Sequence, residues 1–187
     1  GFLLSRGMES TGAHKRAALG VIRLVGSDSP RRLVLGFMIA GAVLSMWISN
    51  TATVLMLLPV ALAVLDSAEQ KERLAAPLLL GLAWSCSIGG LGTPIGTPPN
   101  LIFMQVYEDT TGLTIGFTQW MSWGLPIVVT LIALAALWLT RSLPEKLKVT
   151  LPDAVAWRSA EKRVLMIFGI TAFLWMTRAG PFGGWRE

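Results

Sequence analysis

Charge is what this sequence has least of. Only 14% of its 187 residues are Asp, Glu, Lys or Arg, against roughly 25% in an ordinary soluble domain, and 53% are hydrophobic. With a mean hydropathy of +0.60, a water-soluble globule is a poor reading and a membrane protein a good one. A single cysteine, Cys86, allows neither an internal disulfide framework nor a multi-cysteine metal cluster. His14 is the sole histidine, and a lone surface histidine is far more often just that than a ligand. No charged n-region leads into a cleavable apolar segment, so no signal peptide is visible, and the chain, opening on Gly1, reads as an interior cut of a longer one. The net charge of +5 could point to nucleic acid, but the basic residues lie between apolar runs without interleaved aromatics, so no nucleic-acid partner is expected.

What is present is long uncharged runs. Residues 33–65 and 74–106 contain no Asp, Glu, Lys or Arg, nor do residues 121–140 and the shorter run 164–177. About 20 such residues cross a bilayer as a helix. Lys and Arg set orientation, because short cytoplasmic loops hold an excess of them. Lys15, Arg16, Arg23, Arg31 and Arg32 precede the first run, and Lys71 and Arg73 follow it, so both of its flanks read as cytoplasmic. Residues 107–120 carry Glu108 and Asp109 and no Lys or Arg, whereas residues 141–163 hold six basic residues. The second run therefore goes outward and the third returns.

A first run that enters and leaves on one side cannot be one straight helix. At 1.5 Å per residue it would be about 50 Å long, against a hydrocarbon core of roughly 30 Å. Two arms of about 15 residues, each near 22 Å, would turn back before crossing, and Ser49-Asn50-Thr51 falls where the turn belongs. Residues 33–66 are read as a re-entrant helical hairpin; two short full spans with an outside turn have the same flank topology. The second run, 74–107, reads as a broken transmembrane helix. Four glycines and three prolines between Gly89 and Asn100 cannot stay helical, since proline removes a donor and clashes with the preceding turn. Broken backbone at membrane depth survives only where protein buries it or where it lines a wet cavity.

The remaining segments are plainer. Residues 1–32 form an interfacial, cytoplasmic segment in which 12–25 suit an amphipathic helix, with Lys15, Arg16 and Arg23 available to lipid headgroups. Residues 121–141 are a transmembrane helix preceded by Trp120 and followed two residues on from its start by Trp123, both suited to an interfacial aromatic belt. Residues 142–163 are a cytoplasmic segment with a surface helix opening near Pro152, which feeds into 164–178, the start of the next transmembrane helix. The fold class is thus an all-α membrane protein.

Two broken helical elements are the arrangement in which secondary transporters place substrate and coupling ions. A helix N-terminus offers N–H groups and partial positive charge to an anion, while unwound carbonyls suit a cation. Sodium is a hard cation that prefers oxygen ligands. Ser45 lies four residues before Ser49, on the same helix face, so their hydroxyls and the Asn50 amide oxygen could converge with a carbonyl from the glycine-rich break. The plainer alternative is that Ser and Thr bond their own helix backbone and that glycine serves close packing. For Ser45 alone that alternative is the better one.

Ser49-Asn50-Thr51-Ala52-Thr53, followed by Ser87-Ile88-Gly89-Gly90 and Gly96-Thr97-Pro98-Pro99-Asn100, resembles the first repeat of the divalent anion/sodium symporter family, the sodium-dependent dicarboxylate and sulfate carriers. The likeness runs through almost the whole chain, including Ile170-Thr171-Ala172-Phe173-Leu174-Trp175, which is similar to the start of the helix opening the second repeat. The resemblance implies that Ser45, Ser49, Asn50 and Gly96 are sodium ligands and that Asn50, Thr51, Thr97 and Pro98 border a small anionic substrate. It further implies a multi-pass protein of the cell membrane (inner or plasma), a homodimer, and an elevator-like movement of the hairpin-bearing domain. The family's second, inverted hairpin and second break are absent, so the chain should be half of an inverted-repeat transporter.

Several functions remain open on this reading. Sodium-coupled uptake of a C4-dicarboxylate comes first, with sulfate transport or anion exchange on the same fold as alternatives, and a structural membrane subunit as a weaker one. An embedded enzyme is disfavoured: the membrane runs contain no His, Asp, Glu or Lys, and Cys86 has no partner base.

Overall fold

A computed structural model of the chain describes residues 7, 10–26, 29–144 and 158–177. Among these residues every regular element is a helix. Helix α1 is Ala13–Val25, α2 Pro30–Ser45, α3 Asn50–Asp66 and α4 Lys71–Gly89; a 3-10 turn at Gly90–Gly92 then leads to α5, Pro98–Thr111. Phe117–Thr140 forms α6 and Ser159–Thr177 forms α7.

The local chemistry of each boundary is plain. Ser29 caps α2 by accepting the Arg32 N–H, with Pro30 at the first helical position, where its missing donor costs nothing. After Ser45 the chain makes a tight turn, with the Trp47 and Ile48 N–H groups both reaching the Leu44 carbonyl at 3.0 Å. Ser49 then caps α3 through the Ala52 N–H. The two arms expected over residues 33–66 are therefore helices of 16 and 17 residues joined at 46–49, about 24 and 26 Å long at 1.5 Å per residue.

The interruption expected between Gly89 and Asn100 is present. Gly90–Gly92 is a 3-10 turn, Thr93 is extended at φ −133°, ψ 156°, and α helix resumes only at Pro98. Isolated prolines behave differently: Pro59, Pro77 and Pro126 each sit inside a continuous helix. Two stretches, Lys71–Gly92 and Phe117–Thr140, are long and apolar enough to cross a membrane by length and composition. Helix α6 begins before the uncharged run 121–140, at Phe117. Of the segment 142–163, Pro152 and its surroundings lie outside the described residues, as does Arg178; 159–163 are the opening of the same helix that carries 164–177.

Helix α2 is the central element, with eleven of its 16 residues buried, and it packs on α1, α4 and α6. Small residues set its approach to α4. A Cβ on Gly41 would lie 2.8 Å from Ser85 Oγ, and one on Gly89 would lie 2.3 Å from the Ala42 carbonyl oxygen and 2.5 Å from its Cα. The first could be relieved by a rotamer change, the second only by moving backbone. At the turn between α2 and α3, Trp47 packs edge-on against Phe168 of α7 at 5.1 Å and stacks on Phe117 of α6 at 6.3 Å, which holds the turn beside both helices.

One face of α6 is buried at every fourth residue, Gly124, Val128, Ile132, Ala136 and Thr140, while Ile127, Leu131, Leu134 and Trp138 are exposed. In α5 only Asn100 is buried, and Leu101, Ile102, Phe103 and Val106 are all exposed. Apolar side chains on every side mark a helix surrounded by hydrocarbon or by more protein. Arg16, expected at headgroups, instead pairs with Glu161 of α7 at 2.8 Å, the carboxylate being 3% exposed. Glu161 also accepts the Arg158 N–H at 2.8 Å, closing the first turn of α7. That pair ties α1 to α7.

Candidate functional site: an oxygen cluster between two broken elements

The site begins at the end of α2. Ser45 is fully buried, and its hydroxyl does not bond to its own helix. Its Oγ lies within hydrogen-bonding distance of two acceptors, Asn50 Oδ1 and, at 2.5 Å, the Cys86 carbonyl oxygen of α4. A hydroxyl has one proton to donate. Three oxygens, from a hydroxyl, an amide and a peptide carbonyl that also accepts the Gly90 N–H at the end of α4, thus converge on a place where the one hydroxyl proton serves two contacts. Such a surplus of lone pairs is resolved either by a cation or by turning the amide so that Asn50 Nδ2 donates to Ser45.

The glycine-rich break supplies the neighbouring wall. Gly90 lies against the Asn50 amide, with a built Cβ falling 2.8 Å from Oδ1 and 3.1 Å from Nδ2. Gly96 in turn lies against Gly90, its Cβ falling 2.4 Å from the Gly90 carbonyl oxygen. A side chain at Gly90 would displace the Asn50 amide, and one at Gly96 would require backbone to move. The buried Asn100 amide closes the break from the α5 side by donating from Nδ2 to the Gly90 and Thr93 carbonyls, both at 2.8 Å. Thr93 donates from Oγ1 to the Met46 carbonyl at 2.5 Å, fastening the break to the turn after α2. These bonds satisfy carbonyls that the missing helix leaves open.

Two helix N-termini open beside this cluster. At α3, the Asn50 and Thr51 N–H groups are the first of the helix and have no partner within it, and Ser49 and Thr51 are exposed. At α5, Pro98 and Pro99 occupy the first two positions, so this end offers dipole and few donors. The Asn100 N–H is used by the Thr97 carbonyl at 3.1 Å. Trp120 at the start of α6, expected in an interfacial belt, donates its ring N–H to the Leu91 carbonyl of the 3-10 turn at 2.9 Å.

Of the residues picked out from sequence, Ser45, Asn50 and, through Gly90, Gly96 come together. Ser49 does not share a helix face with Ser45, because α2 ends at Ser45 and Ser49 caps α3; it spends its hydroxyl on the Ala52 N–H and its carbonyl on Thr53. Thr51, Thr97 and Pro98 line the exposed side of the two helix starts, Thr97 half-buried and Pro98 exposed. The Cys86 carbonyl, Gly90, Thr93, Asn100 and Trp120 were not picked out as site residues. A backbone carbonyl carries no residue-type signal, but Asn100, a buried amide in an apolar helix, could have been flagged as needing partners. Among the described residues no group of three His, Cys, Asp or Glu could hold a metal ion, so a cation here would meet neutral oxygens only.

A sequence profile of the citrate transporter family matches residues 1–185. The chain belongs to the citrate transporter family. It is 35% identical over 199 aligned residues to the sodium-dependent dicarboxylate transporter SdcS of Staphylococcus saprophyticus subsp. saprophyticus, covering 95% of this chain and 38% of that protein. The protein of the same name from Staphylococcus aureus strain USA300 is 35% identical over 207 aligned residues, covering 100% of the chain and 40% of the relative. The chain therefore spans about two fifths of the length of these relatives. The resemblance to sodium-dependent dicarboxylate carriers extends along the whole chain, and the citrate transporter family is one of transporters, not of enzymes.

Proposed function

We propose that this chain is the first half of a secondary transporter that couples sodium to the uptake of a divalent anion, a C4-dicarboxylate such as succinate. The observation that carries the reading is the convergence of Ser45 Oγ, Asn50 Oδ1 and the Cys86 carbonyl at the end of α4, with one hydroxyl proton between the two acceptors. Hydroxyl, amide and helix-end carbonyl oxygens are the donors by which transporters hold sodium at broken helices, and the sodium-dependence of both staphylococcal relatives, stated in their names, agrees with that donor set. Sodium is then held among Ser45, Ser49, Asn50 and Gly96. The anion lies against Asn50, Thr51, Thr97 and Pro98, where α3 and α5 begin and N–H groups and dipoles favour negative charge without a buried cation.

In this reading α2 and α3, at about 24 and 26 Å, are a re-entrant hairpin entered from the cytoplasm, since each falls short of a hydrocarbon core of roughly 30 Å. Helices α4 and α5 are the two arms of the next, broken segment, and α6 returns to the cytoplasmic side where Arg141 lies over the Trp138 ring at 3.7 Å, a pairing suited to an interface. The complete protein is a multi-pass homodimer of the cell membrane, and its second half completes the substrate site. The test is uptake of labelled succinate by proteoliposomes holding the complete protein. Uptake driven by an inward sodium gradient is expected; uptake indifferent to that gradient would sink the proposal.

A further inference from the structure

We infer that Trp120 is a positioning residue for the cation site, acting through the Leu91 carbonyl; the inference rests on the sodium reading above. The apex of the break is Gly90–Gly92, in which two glycines flank Leu91. Glycine loses the most backbone freedom on ordering, so the peptide between them is set by what grips it from outside. Helix α6 grips it twice. The Trp120 ring N–H donates to the Leu91 carbonyl at 2.9 Å. One turn further along, Gly124 brings its backbone so close that a Cβ would lie 2.6 Å from the same oxygen. The Trp120 ring is itself held, edge-on to Phe103 of α5 at 5.8 Å.

The path from that grip to the site is short. Leu91 is bonded to Gly90, and Gly90 is the surface on which the Asn50 amide lies, 2.8 Å from Oδ1 to a built Cβ. If the 3-10 turn rotates, the amide loses its seat, and Asn50 Oδ1 is one of the three converging oxygens. Trp120 touches neither ion nor anion in this account. It fixes the turn from one side, as Asn100 does from the other.

Trp120→Phe in the full-length transporter removes the N–H and keeps a ring for Phe103. The sodium concentration giving half-maximal succinate uptake is expected to rise about 2- to 10-fold, the loss of one ordinary hydrogen bond, with the maximal rate and the succinate KM at saturating sodium retained. Sodium-dependent thermal stabilisation in detergent should need correspondingly more sodium. Trp123→Phe, at a ring 48% exposed, serves as the control and should leave all these quantities unchanged. A half-saturation for Trp120→Phe equal to that control, or a fall in folded protein and maximal rate alone, overturns the inference. If Trp120→Phe does not assemble, Gly124→Ala, which presses on the same carbonyl, takes its place with the same expected shift and the same refutation. Wild-type uptake indifferent to sodium overturns the sodium reading and this inference with it; a sodium-dependent wild type with an unshifted variant overturns this inference alone.

Discussion

Replacing Ser45 by alanine separates a cation ligand from a packing hydroxyl. The side chain is fully buried, so the change swaps one oxygen for hydrogen in a closed place and adds no bulk. Ser45→Ala removes the one proton shared between Asn50 Oδ1 and the Cys86 carbonyl and one of the three converging oxygens. If the oxygens only bond one another, the Cys86 carbonyl keeps the Gly90 N–H and the cost is that of leaving the Asn50 amide oxygen without its hydroxyl donor, about 1 to 3 kcal/mol, and it is the same in sodium and in potassium. If they hold a cation, a ligand to a full charge is lost. Taking about 1.5 to 3 kcal/mol for a bond to a charged group, the sodium half-saturation should rise about 10- to 150-fold. The assay is succinate uptake by liposomes holding the complete transporter, titrated with sodium at constant ionic strength with choline as replacement. A melting temperature that falls equally in sodium and potassium, with half-saturation unmoved, would refute the assignment of Ser45 to the ion.

Three further outcomes follow from the packing. Gly89→Ala sets a methyl 2.3 Å from the Ala42 carbonyl oxygen; as overpacking against backbone it should cost at least about 1 to 3 kcal/mol, read as a lower melting temperature, while Gly20→Ala, with open space around its Cβ, should be tolerated. Arg16→Ala leaves Glu161 buried beside an empty place and should destabilise by about 3 to 5 kcal/mol; Arg16→Leu combined with Glu161→Gln should recover much of that, and a double variant no better than Arg16→Ala would count against the pair. Cys86 is fully buried at the back of the site, so a maleimide should label it only after denaturation; rapid labelling of native protein would contradict the packing of α4 on α2.

Features that rest on local chemistry were legible in the sequence. The density of glycine and proline from Gly89 to Asn100 marked a break where lone prolines at 59, 77 and 126 did not, because a helix absorbs one missing donor but not several in succession. Ser49-Asn50-Thr51 marked the place of the turn, of which only Ser49 belongs to the connection; it caps α3, which already holds Asn50 and Thr51. The late start expected for α6 has an equally local cause: Thr118 and Gln119 interrupt an apolar run but are compatible with a first turn. What escaped depends on distant partners. The Cys86 carbonyl meets Ser45 across 41 residues, and nothing in the residue type at 86 reports what its backbone faces. Arg16 and Trp120 were assigned to the interface from their side chains alone, and each finds a specific partner, Glu161 and the Leu91 carbonyl, only once α1 packs near α7 and α6 beside the turn.

Whether the oxygens meeting at Ser45 hold sodium, as proposed, is decided by a pair of high-resolution cryo-EM maps of the complete transporter, one in sodium and one in choline. Density for an ion bounded by Ser45 Oγ, Asn50 Oδ1 and the Cys86 carbonyl is expected in sodium, and in choline an empty place with the Asn50 amide turned to offer Nδ2 to Ser45. Identical maps, with Ser45 and Asn50 in direct hydrogen-bonded contact under both conditions and no ion between them, would contradict the proposal.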